Sequence, residues 1–254
     1  MQSFVQAFGE IPPTLKGTAL IHTGILVSDT LDSWAETARK LRLMPLSFLA
    51  SQDLGNTKLY YWTNVDREHP LIQEIFGPFL EQYGKHIEIK KFDAAEEIKK
   101  VVLDYASHEN TAAMTAVTAE LVNIFDSQTI ASSKTNLMRT FLLYNYGAWM
   151  DNDMVLVQSV APLLGDWAEW IGKGFINEAV FSASRPGSPF NLKAYIGNIR
   201  KLGVHLEFFA YGPTMLSNMV KEIQNGRASL SYNVSPGAEL FFRGRFTCSL
   251  FPWT

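Results

Sequence analysis

Cysteine is almost absent from this chain of 254 residues, since Cys248 is the single example. An intrachain disulfide and a thiol-ligated metal site are therefore excluded, and nothing indicates an oxidising compartment. Long apolar runs are also lacking, because the longest uncharged early run, Gly17 to Ser28, is too short to cross a bilayer. The first residues lack the basic region and apolar core of a signal peptide. We therefore expect a cytoplasmic protein whose contact with a membrane is at most peripheral.

An excess of positive charge is missing too. The chain has 22 Lys and Arg against 25 Asp and Glu, a net charge of -3 and a pI near 6.0, with no dense basic run. Nucleic acid is therefore not an expected partner. The P-loop, the G-x-S-x-G elbow, the H-E-x-x-H zinc motif and the dinucleotide glycine motif are absent, and the five histidines are scattered.

What the chain does have is an alternation of strand-like and helix-like segments. With 47% hydrophobic residues it can bury a full core, and the alternation predicts an α/β fold with a mostly parallel sheet. Ligands of such sheets bind beyond the carboxyl ends of the strands. The predicted strands are TALIHTGILV, TKLYYWTN and HIEIKKFD, and the predicted helices are Asp29 to Leu43, a segment interrupted at Gly77-Pro78, and most of 94–125.

The stretch from Ser132 to Leu164 carries the chemistry. Good N-cap residues, Ser132 and Ser133, predict a helix that ends at Gly147, and its apolar residues cover most of its circumference. The helix should therefore be buried. Its polar exceptions share one face and call for an anion or a polar pocket; they are Thr135, Asn136 and Arg139.

An acidic triplet follows that helix. Asp151, Asn152 and Asp153 come after a strand-like AWM and before the apolar MVLV, which predicts a tight turn at the end of a buried strand, with a further strand beyond it. Two carboxylates brought around one point repel each other unless a cation lies between them. Hard cations such as Mg²⁺ or Mn²⁺ prefer oxygen ligands, so Asp151 and Asp153 are the candidate metal ligands.

These residues carry a family resemblance. T-N-L-M-R followed by Y-G-A-W-M-D-N-D-M resembles the S-D-x-x-R and Y-G-G-x-x-x-D-x-D block of glycosyltransferases of GT-A fold that use nucleotide sugars. That group includes initiating mannosyltransferases, α-1,4-galactosyltransferases, capsular polysaccharide transferases and clostridial glucosylating toxins. FINEAVFSASRPGSPF and AYGPTMLSNMVKEI resemble later family segments, so the likeness spans Ser132 to about Ile223. Asn136 stands where the family usually has Asp, and Gly147 where it has two glycines.

The resemblance implies a single glycosyltransferase domain over 1–254. Its parts would be a nucleotide-binding half (1–93), a helical insertion (94–131) that borders the acceptor by analogy, and a half with the DXD motif and the acceptor site (132–254). Asp151, Asp153 and Arg139 are the implied catalytic residues. The implied substrate-binding residues are Asn136, His22, Trp149, Asn152, Asn177, Gly212 and Pro213.

Several of these residues have a second interpretation. His22 lies in a buried strand, where it is either a hydrogen-bonded core residue or a donor-site residue. Gly212-Pro213 either starts a helix or offers that helix's N–H groups to a diphosphate. Trp167 and Trp170 either stack on a sugar or serve as packing residues. In the C-terminal tail, Glu239, Arg243 and Trp253 either close over the bound donor or belong to a packed terminus.

The function that follows is metal-dependent transfer of a sugar from a nucleotide-diphosphate donor, UDP-sugar being favoured, as in polysaccharide biosynthesis. The acceptor would be a glycan, a lipid-linked saccharide or a protein, and the resemblance implies retention of the anomeric configuration. Two rivals stay open: a catalytically weak nucleotide-sugar-binding protein derived from such an enzyme, and a metal-dependent phosphohydrolase with paired aspartates.

Overall fold

The computed structural model describes residues 19–27, 34–105, 111–156, 159, 180–182, 197–204 and 211. They form a mixed α/β fold built on a parallel three-stranded sheet with helices packed on both faces. Across these residues, no helix is both long enough and apolar enough to cross a bilayer.

The central sheet consists of β1 (Ala19–Ile25), β2 (Thr57–Thr63) and β3 (Ile87–Lys91) in the order β1-β2-β3. All three strands are parallel, and the register aligns Ile21 with Leu59 and Ile87. Alternate residues of a strand point to opposite faces, so each face can join its own core. The predicted parallel sheet is confirmed for these strands.

Two hydrophobic clusters lie on the two faces of this sheet. One contains Ile21, Leu59 and Ile87, and the other contains Trp62 with much of the helix that precedes the acidic triplet. The helices are α1 (Trp34–Leu41), α2 (Leu43–Ser51), α3 (Pro70–Tyr83), α4 (Ala94–Tyr105), α5 (Thr111–Asp126), α6 (Ala131–Tyr146) and α7 (Gly197–Leu202).

The helix before the acidic triplet has the predicted end but a different start. α6 stops at Gly147, whose φ of 88° is the left-handed conformation that glycine adopts readily. The predicted N-caps are wrong, because Ile130 takes the capping position without a side-chain hydrogen bond. Ser132 and Ser133 lie inside the first turn, and Ser133 is fully buried.

The helix predicted to be interrupted at Gly77-Pro78 is continuous. Pro78 has no N–H, so the carbonyl of Glu74 loses its partner within α3. The guanidinium of Arg42 takes over, donating to this carbonyl from Nε at 3.1 Å and also from Nη2. A contact from the residue that joins α1 to α2 therefore replaces the bond that proline removes.

Two other predictions about elements are wrong within the described residues. The helix expected over Asp29 to Leu43 ends at Leu41, and a separate helix, α2, follows it. The strand expected after the acidic triplet is not formed at Met154 to Leu156, although Leu156 is buried. Side-chain burial there comes without strand pairing.

A second, two-stranded sheet delivers the acidic triplet. β4 (Ala148–Met150) pairs antiparallel with β5 (Val180–Ser182), which lies within the FINEAVFSASRPGSPF segment. β4 also packs against β1, and α6 packs against both strands. The end of β4 is thereby brought to the edge of the central sheet.

Candidate active site

The buried helix α6 places one cation beside the acidic triplet. Leu137, Met138 and Phe141 are fully buried on this helix, and Arg139 keeps only 11% of its side chain exposed. Its Nη2 lies 2.8 Å from Oδ1 of Asp151. The anion that the buried arginine requires is therefore the first residue of the triplet.

A second donor fixes the same carboxylate oxygen. Nε1 of Trp149 donates to Oδ1 of Asp151 at 2.8 Å, and the indole is almost fully buried. Both contacts fall on Oδ1. The structure thus places Trp149 behind the carboxylate, and its direct contact with a substrate stays a prediction.

The middle residue of the triplet anchors the turn to the central sheet. Nδ2 of Asn152 donates to the carbonyl of Gly24 at 2.9 Å, across 128 positions of sequence. The turn is closed by a hydrogen bond from Met154 N to the Asp151 carbonyl at 3.2 Å. The triplet therefore lies at the carboxyl end of β1, where ligands of parallel sheets bind.

Asp153 projects to the solvent side of this turn. Partial burial, together with the negative charge of Asp151, raises the pKa of Asp153 above its ordinary value, and Arg139 opposes part of that rise. A like charge that raises a pKa is also a charge that a cation would relieve. Both acids therefore belong to one electrostatic unit.

The donor set fits one class of metal ion. In the described part of the chain, no three His, Cys, Asp or Glu side chains form a group able to hold a metal. Mg²⁺ is commonly bound by one or two carboxylates and completes its octahedral shell with water and substrate phosphates. Asp151 and Asp153 fit that arrangement, and Mn²⁺ shares the preference for carboxylate and water ligands.

The other polar residues of α6 differ in their surroundings. Asn136 is buried on the same helix as Arg139. Thr135 instead donates its hydroxyl back to the Ala131 carbonyl at 3.0 Å, within the helix. Arg139 and Asn136 are therefore the buried polar members of the predicted face.

His22 occupies the core. Its Nδ1 accepts a hydrogen bond from Trp62 Nε1 at 3.0 Å, and its ring stacks on Tyr146 with centroids 5.0 Å apart. Burial, with a smaller effect from the charge of Lys90, lowers the pKa of His22 from 6.5 to about 3. The geometry favours the hydrogen-bonded core interpretation, and a role in donor binding stays a prediction.

A cavity of about 470 Å³ opens at the carboxyl ends of the three parallel strands. Its walls come from the residues that follow each strand and from the connection between α5 and α6. They are Leu26, Val27, Asn64, Phe92, Ala94, Phe125, Gln128, Thr129, Ala131 and Lys134. Of these only Lys134 is charged, so the cavity suits a largely apolar ligand that is neutral or anionic.

The sequence pattern predicts a ligand at these strand ends but does not identify the lining residues. Asn64, directly after β2, shapes one wall: its Oδ1 accepts from Val27 N at 2.7 Å and its Nδ2 donates to Val27 O at 3.0 Å. An Asn placed directly after a strand is the signal that the sequence offered for this wall.

Helix α6 connects the cavity to the acidic triplet. Lys134, on its first turn, lines the cavity, and Arg139 binds Asp151. Five residues of α-helix rise about 7.5 Å. Lys134 and Arg139 are therefore separated by about 7.5 Å along the helix axis and lie on different faces of the helix.

The remaining predicted site residues lie outside the described residues, so their positions stay predictions. They are Asn177, Gly212, Pro213, Trp167, Trp170, Glu239, Arg243 and Trp253.

No protein-family model matches this chain, and no curated protein matches it. Among solved structures, the PaToxG glycosyltransferase is similar at 13% identity, over 90% of this chain and 76% of its own, with a TM-score of 0.47. A transferase variant with two cysteines changed to serine is similar at 10% identity, over 86% of this chain and 90% of its own, with a TM-score of 0.53. The latter likeness shows a shared fold, and a fold by itself does not define a function.

Proposed function

We propose that this protein is a metal-dependent glycosyltransferase that takes a sugar from a nucleotide-diphosphate donor. The observation that carries the proposal is the anchoring of the acidic turn by Asn152 to Gly24, at the edge of the sheet where the cavity also opens. A nucleotide in the cavity would extend its diphosphate toward Asp151 and Asp153. The transferase-like fold supports this assignment at a coarse level.

Such a transfer requires that the negative charge developing on the departing phosphate be stabilised. In a same-face displacement, the bond from the sugar's anomeric carbon to the β-phosphate oxygen breaks, and the acceptor oxygen bonds to that carbon while its proton passes to the departing phosphate. Mn²⁺ or Mg²⁺, when bound, supplies positive charge that neutralises this phosphate. Asp153, with Asp151 directly or through water, would hold the cation.

The chain's own residues would set the geometry. Arg139 and Trp149 hold Oδ1 of Asp151, and Oδ2 would face the cation or a ribose hydroxyl. Asn136 and Arg139 would orient sugar hydroxyls from the buried helix. UDP-sugar is the favoured donor, and the acceptor would be a glycan, a lipid-linked saccharide or a protein side chain. Retention of the anomeric configuration is proposed from the family resemblance.

A panel of nucleotide sugars tests the proposal. With Mn²⁺, we expect one donor to raise the thermal stability of the protein and to release its nucleotide by transfer or hydrolysis. Asp153→Ala should lower turnover by at least about 100-fold, since it removes charge stabilisation at the reacting centre. The exposed Glu81→Ala on α3 is the matched acidic control and should keep full turnover. Unchanged turnover of Asp153→Ala would refute the proposal.

One observation favours a second candidate, a protein that binds nucleotide sugars without turnover. Asp151 already has a cationic partner in Arg139, so its charge is partly balanced without a metal ion. Binding in the same panel without release of nucleotide would support this candidate. Release of phosphate from simple esters would point instead to the phosphohydrolase.

A further inference from the structure

The residues that flank the acidic triplet share a hydrophobic core with Tyr61 of β2. Met150, just before the triplet, and Leu156, shortly after it, are both buried in the same cluster as Tyr61. In the sheet, Tyr61 pairs in register with Thr23, the residue before Gly24. Tyr61 therefore belongs to the core from which the acidic turn emerges.

The hydroxyl of Tyr61 is unusual for a core. Tyr61 is fully buried, and its ring packs on Phe76 with the centroids 4.4 Å apart. Its hydroxyl has no hydrogen-bond partner among the residues that the structure describes. A buried hydroxyl without a partner is costly and rare in folded proteins. Phenylalanine would fill the same space without that cost, so packing gives no reason for the hydroxyl.

The amide of Asn152, in the middle of the acidic triplet, acts on this hydroxyl. One N–H of the amide donates to the carbonyl of Gly24, which follows the residue paired with Tyr61. Burial raises the pKa of Tyr61 well above its ordinary value, and the side chain of Asn152 opposes part of that rise. An amide carries a second N–H and a carbonyl oxygen. A small movement of the turn would therefore give the hydroxyl a partner.

A ligand at the acidic turn can supply that movement. Asp151 and Asp153 carry like charges that oppose a tight turn, and a cation between them removes the repulsion. Asn152 lies between the two acids in the chain, so its side chain moves when they close on a cation. A hydrogen bond that forms only in the bound state adds its free energy to binding alone.

We propose that Tyr61 is a positioning residue for the acidic turn, and that its hydroxyl bonds to Asn152 when a cation and a diphosphate occupy Asp151 and Asp153. The hydroxyl is idle in the unliganded protein and is used by the ligand-bound turn. Tyr61 does not contact the ligand, because it lies wholly within the core. This inference rests on the proposed function, since it concerns the same metal and donor site.

Tyr61→Phe should weaken binding without weakening the fold. In the unliganded full chain, the urea midpoint of the variant should equal or exceed that of the wild type, since the variant loses an unpartnered polar group. In excess Mn²⁺, calorimetry with UDP, GDP, CDP and ADP should show about tenfold weaker binding of the nucleotide that the wild type binds best. Tyr83→Phe, a half-buried tyrosine at the end of α3, is the matched control and should keep both wild-type values.

A double-mutant cycle identifies the partner of the hydroxyl. In the Asn152→Ala background, Tyr61→Phe should have no further effect on affinity, since the group to which the hydroxyl bonds is gone. Additive losses, or equal affinities of Tyr61→Phe and the wild type, would overturn the inference while leaving the proposed function standing. A lower urea midpoint of unliganded Tyr61→Phe would also overturn it, because the hydroxyl would then be bonded without a ligand. Failure of every nucleotide to bind the wild type would overturn both.

Discussion

At the scale of single residues, one oxygen atom organises the candidate site. Oδ1 of Asp151 accepts from the guanidinium of Arg139 and from the indole of Trp149. An apolar helix can carry Arg139 because this partner is in place, and the carboxylate is held because two buried donors fix it. The buried cation and the acid therefore depend on each other.

Loss of that acid should cost stability as well as activity. Asp151→Ala leaves Arg139 buried without its charged partner. We expect a loss of about 2–3 kcal/mol in the free energy of unfolding. This loss is at the lower end for buried ion pairs because Asp151 is partly exposed. Asp151→Asn keeps an oxygen acceptor and should lose less. Urea unfolding measures both, and an unchanged midpoint for the Ala variant would contradict the pairing.

His22 should make stability depend on pH. Its folded-state pKa is lowered to about 3, whereas an unfolded histidine has the ordinary value of 6.5. The unfolded chain therefore binds this proton more readily, and stability present above 6.5 is lost as the pH falls toward 3. About 2 kcal/mol should be lost between pH 6.5 and about pH 5.

Two variants isolate that histidine. His22→Phe keeps an aromatic ring in the stack but cannot titrate, so its unfolding free energy should vary less over the same pH range. It also pays a constant penalty, because Trp62 Nε1 loses its acceptor. His86→Phe, a half-buried histidine just before β3, should keep the wild-type pH dependence. If His22→Phe retains that dependence in full, another group is responsible.

At the scale of elements, the sequence predicts features that depend on patterns within one helix or strand, but not features that depend on contacts between distant residues. The end of α6 is set locally by Gly147, so it can be predicted from the neighbouring sequence alone. Its start was misplaced because Ser133 is buried against other elements instead of capping. α2 was missed although Pro45 lies in its first turn, where proline costs no helical hydrogen bond.

The contact between Arg42 and α3 can be tested by a double-mutant cycle. Arg42→Met removes the donor that replaces the missing proline N–H, and we expect a loss of about 1 kcal/mol. Pro78→Ala restores an N–H to the helix and should stabilise it by about 1–2 kcal/mol. In the Pro78→Ala background, Arg42→Met should cost clearly less, as measured by chemical denaturation. Strictly additive effects would show that Arg42 does not compensate for the proline.

At the scale of the whole molecule, one side chain links the central sheet to the strand that bears the acidic triplet. The sequence indicated a cation site from Asp151 and Asp153 but could not indicate where it would lie. The bond from Asn152 to Gly24 joins residues far apart in the chain, and periodicity carries no information about such pairs. For the same reason the cavity walls, drawn from all three strand ends, were not named in advance.

Removal of the hydrogen bond from Asn152 to Gly24 should lower stability only slightly but weaken ligand binding clearly. Asn152→Ala should cost about 1 kcal/mol of unfolding free energy, as a typical hydrogen bond does. Its affinity for Mn²⁺ with the preferred nucleotide sugar should fall by about tenfold or more, because the carboxylates are no longer held at the sheet edge. Asn123→Ala, which removes an exposed side-chain hydrogen bond on α5, should leave affinity intact. Equal affinities in the two variants would show that the anchor does not position the acids.

Trp149 gives the molecule an internal optical sensor. Its indole is almost fully buried and is bonded to one carboxylate of the acidic turn, so its emission responds to the local field at that carboxylate. Any cation or diphosphate that changes the charge there acts directly on this chromophore. Binding of such a ligand at the acidic turn should therefore shift the emission wavelength of Trp149.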